Sequence, residues 1–172
     1  MIHSTLLLYA GSGRTIIRSN YWTIDVDKKD IKDYLKSLND MRDVINKHEL
    51  ALIVNNNKYF SKMCTADVML IFISSTDVKD NEVLKRITTA SEEIIDLIEE
   101  HDIKYIKENY ESIIRPFVAT RLKIALVGEG GVGKTTTLHL LMGETPPEKY
   151  VPTIALNMQV IENIYFGNYS LV

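Results

Sequence analysis

Apolar residues follow strand and helix periods along most of the chain, and the order of those periods sets the first expectations. Residues 2–10 and 14–24 are two apolar, β-rich runs separated by Gly11-Ser12-Gly13, a hairpin signal because glycine accepts positive φ in a turn. Asp27 stands where an N-cap belongs, ahead of Ile31, Tyr34, Leu35, Leu38, Met41 and Ile45 at i, i+3, i+4 spacing. Lysines and aspartates fill the opposite face, so this helix should lie on a sheet with one side wet. Residues 50–54, 59–64 and 68–74 read as strands, with Asn55-Asn56-Asn57 as a turn. A second amphipathic helix runs from about Asn81 to Glu100, with Val83, Leu84, Ile87, Ile94, Ile95 and Ile98 on its buried stripe. His101-Asp102 breaks it, and a third helix passes through Ile103, Ile106, Tyr110, Ile113 and Ile114. Pro116 is expected to end that helix at or near Arg115. Residues 1–117 thus read β-β-α-β-β-β-α-α, an α+β domain of five antiparallel strands with helices packed on them.

The connection over residues 116–120 has neither glycine nor serine and should not act as a long flexible tether. Beyond it, Leu122-Lys123-Ile124-Ala125-Leu126-Val127 reads as a buried strand. The next eight residues, Gly128-Glu129-Gly130-Gly131-Val132-Gly133-Lys134-Thr135, match G-x-x-x-x-G-K-[ST] in full. Thr136 to Met142 can then form a short helix ended by Gly143. Strand, loop and helix in that order are the context in which this motif binds phosphate.

The chemistry explains the residue types. Glycines let successive N–H groups converge on one concavity where a β-phosphate can sit. The helix start adds its unpaired donors and positive dipole end. Lys134, the candidate catalytic residue, can reach the β- and γ-phosphates, and the Thr135 hydroxyl can ligate a magnesium ion bridging them.

Composition narrows the setting without adding a second chemistry. With 45% apolar and 25% charged residues the chain is ordinary for a globular protein, and a net charge of −3 gives no general reason to expect nucleic-acid binding. The single cysteine, Cys64, excludes an intrachain disulfide and any cysteine-rich zinc site, and is expected to be a small core residue. His3, His48, His101 and His139 have no metal-ligand spacing. The longest apolar runs fall far short of the ~20 residues of a membrane-spanning helix, and no secretory leader is evident. A cytoplasmic protein is expected, with peripheral membrane association compatible. Asn168-Tyr169-Ser170 reads as a chance glycosylation sequon.

The order of elements over residues 1–117 resembles the longin fold of vesicle-trafficking proteins, adaptor small subunits and the signal-recognition-particle receptor. That resemblance rests on element order alone, an order that a profilin-like or other sensor-type α/β module would share. It implies a regulatory domain that binds protein partners. For residues 121–172, the residues after the loop separate three phosphate-loop classes. Gly133-Lys134-Thr135-Thr136-Thr137 also occurs in signal-recognition-particle GTPases, and the run through Met142-Gly143-Glu144-Thr145-Pro146-Pro147 has the look of a transporter ATPase. Gly143 and Pro146-Pro147, however, stop the helix early.

The chain continues through Glu148-Lys149-Tyr150-Val151-Pro152-Thr153-Ile154 into apolar runs over 155–161 and 164–172, separated by Glu162-Asn163, with a second turn candidate at Phe166-Gly167-Asn168-Tyr169. This resembles the Ras-like small GTPases (Ras, Rab and Arf types), in which a switch loop ends in Pro-Thr before an antiparallel hairpin. The resemblance implies the first part of an α/β P-loop NTPase domain that binds guanine nucleotide (GTP or GDP) with magnesium. Its nucleotide contacts would be Gly128, Glu129, Gly130, Gly131, Val132, Gly133, Lys134, Thr135, Thr136 and Thr153, with Thr135 and Thr153 as magnesium ligands and the switch loop as a second partner surface.

Neither an Asp-x-x-Gly nor an Asn-Lys-x-Asp element occurs in the sequence, which stops at Val172, 37 residues after Thr135. The expectation is therefore an N-terminal fragment of such a domain, binding nucleotide weakly or not at all. The intact protein is read as a GTP-hydrolysing switch with a longin-type module. Two alternatives stay open, a non-enzymatic scaffold with a degenerate GTPase and a GTPase of the signal-recognition-particle-receptor type.

Overall fold

Strand β1 (Ile2–Tyr9) is buried on both faces from Ile2 to Leu8, so the sheet it belongs to must be covered on both sides. The structure, a computed structural model, describes residues 1–22, 26–41, 47–122, 126–146, 165–166 and 169–171. It divides into two compact units, Met1–Ala119 and Thr120–Val172.

The first unit is an α+β fold built on a five-stranded antiparallel sheet. Strands β1, β2 (Thr15–Asn20), β3 (Leu52–Val54), β4 (Asn57–Met63) and β5 (Val68–Ser75) lie in the order β2-β1-β5-β4-β3. Alternation along the central strands separates two apolar sets, not an apolar from a polar one. Leu6, Leu8, Tyr59, Met69, Ile71 and Ile73 meet Ile31, Tyr34 and Leu38 of α1 (Lys28–Asp40) on one face. Leu7, Phe60, Leu70 and Phe72 meet the other two helices, α2 (Asp80–Glu100) and α3 (Ile103–Val118), on the opposite face. Helices therefore cover both faces of the sheet, and α1 keeps one side wet as expected, with Lys28, Lys29, Lys32, Asp33, Lys36 and Asp40 exposed.

Local sequence accounts for most element ends. Asp27 caps α1, its carboxylate accepting from the Lys29 N–H at 3.4 Å, and Asp102 caps α3 in the same way from Tyr105 at 2.8 Å. Asp80 and Glu82 sit in the first turn of α2, where the helix dipole favours negative charge. Lys58 of β4 ties that end to the sheet, donating to the Asp80 carboxylate at 2.7 Å and to the Val78 carbonyl at 2.9 Å. Thr23, Ile24 and Ile45, which the periodicity places in the second strand and the first helix, lie outside the described residues.

Several boundaries differ from expectation, β2 ending at Asn20 and β3 starting at Leu52, and two others have a clear physical cause. Asn57 is the first residue of β4, leaving Asn55 and Asn56 as the turn, with Asn55 in the left-handed region at φ 52°. Pro116 does not end α3, which continues to Val118. A proline this close to the C-terminus removes one of the last intrahelical hydrogen bonds, while Val118 extends the Ile106, Tyr110, Ile114 stripe into the core by one more turn. The Ala119 N–H still bonds the Arg115 carbonyl at 3.1 Å. Residues 116–118 are thus helix, not connection.

The core holds several buried phenols. Tyr59 is fully buried and stacks on Tyr34, ring centroids 5.0 Å apart, and its hydroxyl has no hydrogen-bond partner among the described residues. An unpaired buried hydroxyl costs about 1–3 kcal/mol. Tyr59→Phe is therefore expected to stabilise the fold by ~1 kcal/mol, read as a higher denaturation midpoint at unchanged m. A loss of that size would mean that the hydroxyl is bonded in solution.

Burial also pushes the Tyr21 and Tyr59 phenols up to about 12 and raises those of Tyr34 and Tyr110. The fold thus favours the protonated phenol. Its contribution is complete below the ordinary phenol value of about 10 and is lost as pH rises from there through about 12. Denaturation midpoints measured across that alkaline range should fall steeply, and a flat profile would contradict the burial described.

The second unit contains β6 (Thr120–Leu122), β7 (Tyr165–Phe166), β8 (Tyr169–Leu171) and helix α4 (Lys134–Leu141). The strand order is β6-β8-β7, with β8 parallel to β6 and antiparallel to β7. Within the apolar run over 164–172, β7 and β8 flank the expected turn candidate at Phe166 to Tyr169, of which Gly167 and Asn168 lie outside the described residues. Of the expected buried strand over 122–127, Leu122 lies in β6, Lys123 to Ala125 lie outside the described residues, and Leu126 and Val127 are exposed and outside any strand, Val127 at 91%. A strand inside a parallel sheet needs apolar cover on both faces, and the pairing described here is only three residues long. Among the described residues, no helix of either unit is long and apolar enough to cross a membrane.

Candidate functional site

The loop over residues 128–135 is built by backbone conformations that few other residues tolerate. Gly131 has φ 78°, and Gly133 caps α4 in the left-handed region at φ 91°, ψ 13°. A side chain at Gly133 would meet no atom within 4 Å, so the restriction there is conformational and not steric. The left-handed turn points the chain into α4, whose first N–H groups have no intrahelical acceptor. The Thr137 N–H and hydroxyl close that first turn by donating to the Gly133 carbonyl at 2.8 and 3.1 Å.

Lys134 is the first residue of α4 and folds back over the loop. Its ammonium donates to the Gly128 carbonyl at 2.8 Å and the Glu129 carbonyl at 2.6 Å. Carbonyls orient an ammonium but leave its charge uncompensated, and among the described residues Lys134 has no carboxylate partner. The loop therefore presents a positioned positive charge beside a helix N-terminus, a combination suited to phosphate.

Gly128, Glu129, Gly130, Gly131, Val132, Gly133, Lys134, Thr135 and Thr136 are contiguous in this loop and the first turn of α4. Glu129 and Val132 are exposed, and Thr135 stands beside Lys134 in the turn. Thr153, the other expected magnesium and nucleotide ligand, lies outside the described residues, as do Lys123 to Ala125 and the rest of the segment from Pro147 to Ile164. Among the described residues, no three His, Cys, Asp or Glu side chains are grouped to hold a metal. A magnesium ion here would depend on the Thr135 hydroxyl and on oxygens of a ligand.

The far end of α4 carries a feature that spacing alone did not reveal. Gly143, at φ 72°, follows the C-cap, and its N–H bonds the Leu140 carbonyl at 3.1 Å while the Glu144 N–H bonds the His139 carbonyl at 2.9 Å. This is a Schellman closure. His139 Nδ1 also contacts Glu144 Oε2 at 2.7 Å across the same turn, fastening the short helix that bears Lys134. The signal was present as a histidine five residues before a glutamate around a glycine, but it acquires meaning only once the helix end is known.

The fold class and the loop geometry come from this chain alone: no family model matches it, and no curated protein matches it.

Proposed function

We propose that the second unit belongs to a Ras-like, P-loop guanine-nucleotide switch and that the first unit is a longin-like module through which partners are bound. The observation that carries this reading is the loop. A complete G-x-x-x-x-G-K-T run enters α4 through a left-handed Gly133, with the Lys134 ammonium held over the loop by two carbonyls. The strand order adds support. β8 lies parallel to β6, the strand that precedes the loop, and antiparallel to β7, in keeping with a hairpin that forms the first part of a central sheet. For the first unit, support comes from the element order around a five-stranded antiparallel sheet.

In this reading the loop N–H groups and Lys134 hold the β- and γ-phosphates, and Thr135 and Thr153 ligate magnesium. Bound magnesium nucleotide would supply the γ-phosphate whose presence or loss orders or releases the segment around Thr153. The guanine preference comes from the family resemblance, because in this reading the loop residues are assigned to phosphate and metal, not to the base.

Equilibrium binding of fluorescent GTP, GDP, GMP and ATP, with magnesium and with a chelator, tests the proposal. Affinity should fall in the order triphosphate, diphosphate, monophosphate and should drop when magnesium is removed. Affinity indifferent to both phosphate number and magnesium would overturn it.

A further inference from the structure

The first unit contains a concavity of about 410 Å³ between the β1–β2 hairpin and the start of α3. Tyr9, Arg14 and Ile16 line it from the hairpin, and Ile103, Lys104 and Lys107 from the helix. Its volume falls within the ~300–1,000 Å³ typical of ligand pockets. Tyr9, Ile16 and Ile103 are partly buried and continuous with the core, so the wall is apolar and held by the fold. The three cations stand at the rim, all exposed.

These cations are poorly compensated. The Arg14 guanidinium lies 4.9 Å from the centroid of the Tyr9 ring, which holds its planar fork without neutralising it. Lys104 pairs with Glu108 only at 3.9 Å, both side chains mostly exposed, a contact of the weakest kind. Lys107 pairs with no carboxylate among the described residues. Three like charges thus line one rim on a chain whose net charge is −3. An anion placed among them would relieve their mutual repulsion.

We propose that this concavity docks an acidic peptide segment of a partner protein, with one apolar side chain against Ile16 and Ile103 and flanking carboxylates on Arg14, Lys104 and Lys107. A membrane surface fits less well. Adsorption to anionic lipid relies on about 4–8 clustered basic residues, whereas three cations around an apolar pit select a discrete ligand. The proposal stands on the first unit alone and does not depend on the nucleotide reading.

The test uses the whole chain, with Arg14→Glu and Lys107→Glu made singly and together. These positions are exposed, and unchanged circular dichroism would establish that the variants fold. The probes are a fluorescein-labelled pool of short Asp/Glu peptides with a central Leu, Ile, Phe or Tyr, the same pool with Lys/Arg in place of the acids, and phosphatidylserine vesicles. The acidic pool should bind and weaken with salt, each single reversal should weaken it about tenfold, and the basic pool should not bind. Equal binding of both pools, or acidic-pool binding that survives the double reversal, would overturn the proposal. So would vesicle binding abolished by the double reversal while the acidic pool fails to bind.

Discussion

Replacing Lys134 by alanine lowers affinity for magnesium nucleotide about tenfold to a hundredfold. The ammonium is the one positioned charge of the loop, held at 2.8 and 2.6 Å by the Gly128 and Glu129 carbonyls. A bound phosphate would gain charge-assisted hydrogen bonds from it, each worth about 1.5–3 kcal/mol, and about 1.4 kcal/mol is a tenfold change in affinity. Lys134→Arg should fall between wild type and alanine, because a planar fork keeps the charge but cannot follow the same path over the two carbonyls. The fold should lose little in either variant, since the contacts removed are exposed. Fluorescence titration with GTP checks the affinities and thermal denaturation checks the fold. Wild-type affinity in Lys134→Ala would mean that the lysine does not engage phosphate.

The largest expected loss of stability is at Phe72. It is fully buried on the central strand β5, paired with Thr5 on one side and Phe60 on the other, and packs in the cluster formed with α2 and α3. Truncation leaves a cavity that strands bonded on both sides cannot close. Phe72→Ala should therefore cost about 3–5 kcal/mol, a large part of the ~5–15 kcal/mol that holds a domain together. Phe72→Leu, which keeps most of the volume, should cost less than ~2 kcal/mol. Urea denaturation monitored by circular dichroism gives both values. Equal losses for the two variants would mean that the site relaxes freely and is not packed as described.

Much of this fold can be read from spacing because its elements are long and strongly periodic. The i, i+3, i+4 series from Ile31 and from Val83 identify α1 and α2, and Asp27 marks a helix start by a local hydrogen bond that needs no tertiary partner; Asp102, read only as part of a break, caps α3 in the structure. Pro116 misleads for the opposite reason. The rule about proline is local, whereas the stripe from Ile106 to Val118 is settled by burial against the sheet. The cover on both sheet faces is legible too, because Val68 to Ile73 and Leu6 to Leu8 are unbroken apolar runs of the kind that a strand buried on both faces requires.

The candidate site shows the same division. Its loop is legible in full because a contiguous motif dictates its own backbone: glycine where φ is positive, lysine at the helix start. The His139–Glu144 contact is not, because it depends on how α4 closes, which Gly143 decides through its left-handed φ. The basic concavity leaves no trace in the sequence. Arg14 and Lys107 are far apart along the chain, and only the packing of α3 beside the β1–β2 hairpin brings them to one rim.

The central claim, that residues 128–135 form a phosphate cradle, is tested most directly by amide NMR spectra of the labelled chain titrated with magnesium GTP and, separately, with magnesium and guanosine. The method detects weak binding and reports it residue by residue. Shifts are expected at the amides of Gly130, Gly131, Gly133, Lys134 and Thr135 with the triphosphate, none with the nucleoside, and loss of those shifts in Lys134→Ala. Loop amides that move equally with guanosine, or GTP-induced shifts that persist unchanged in Lys134→Ala, would contradict it.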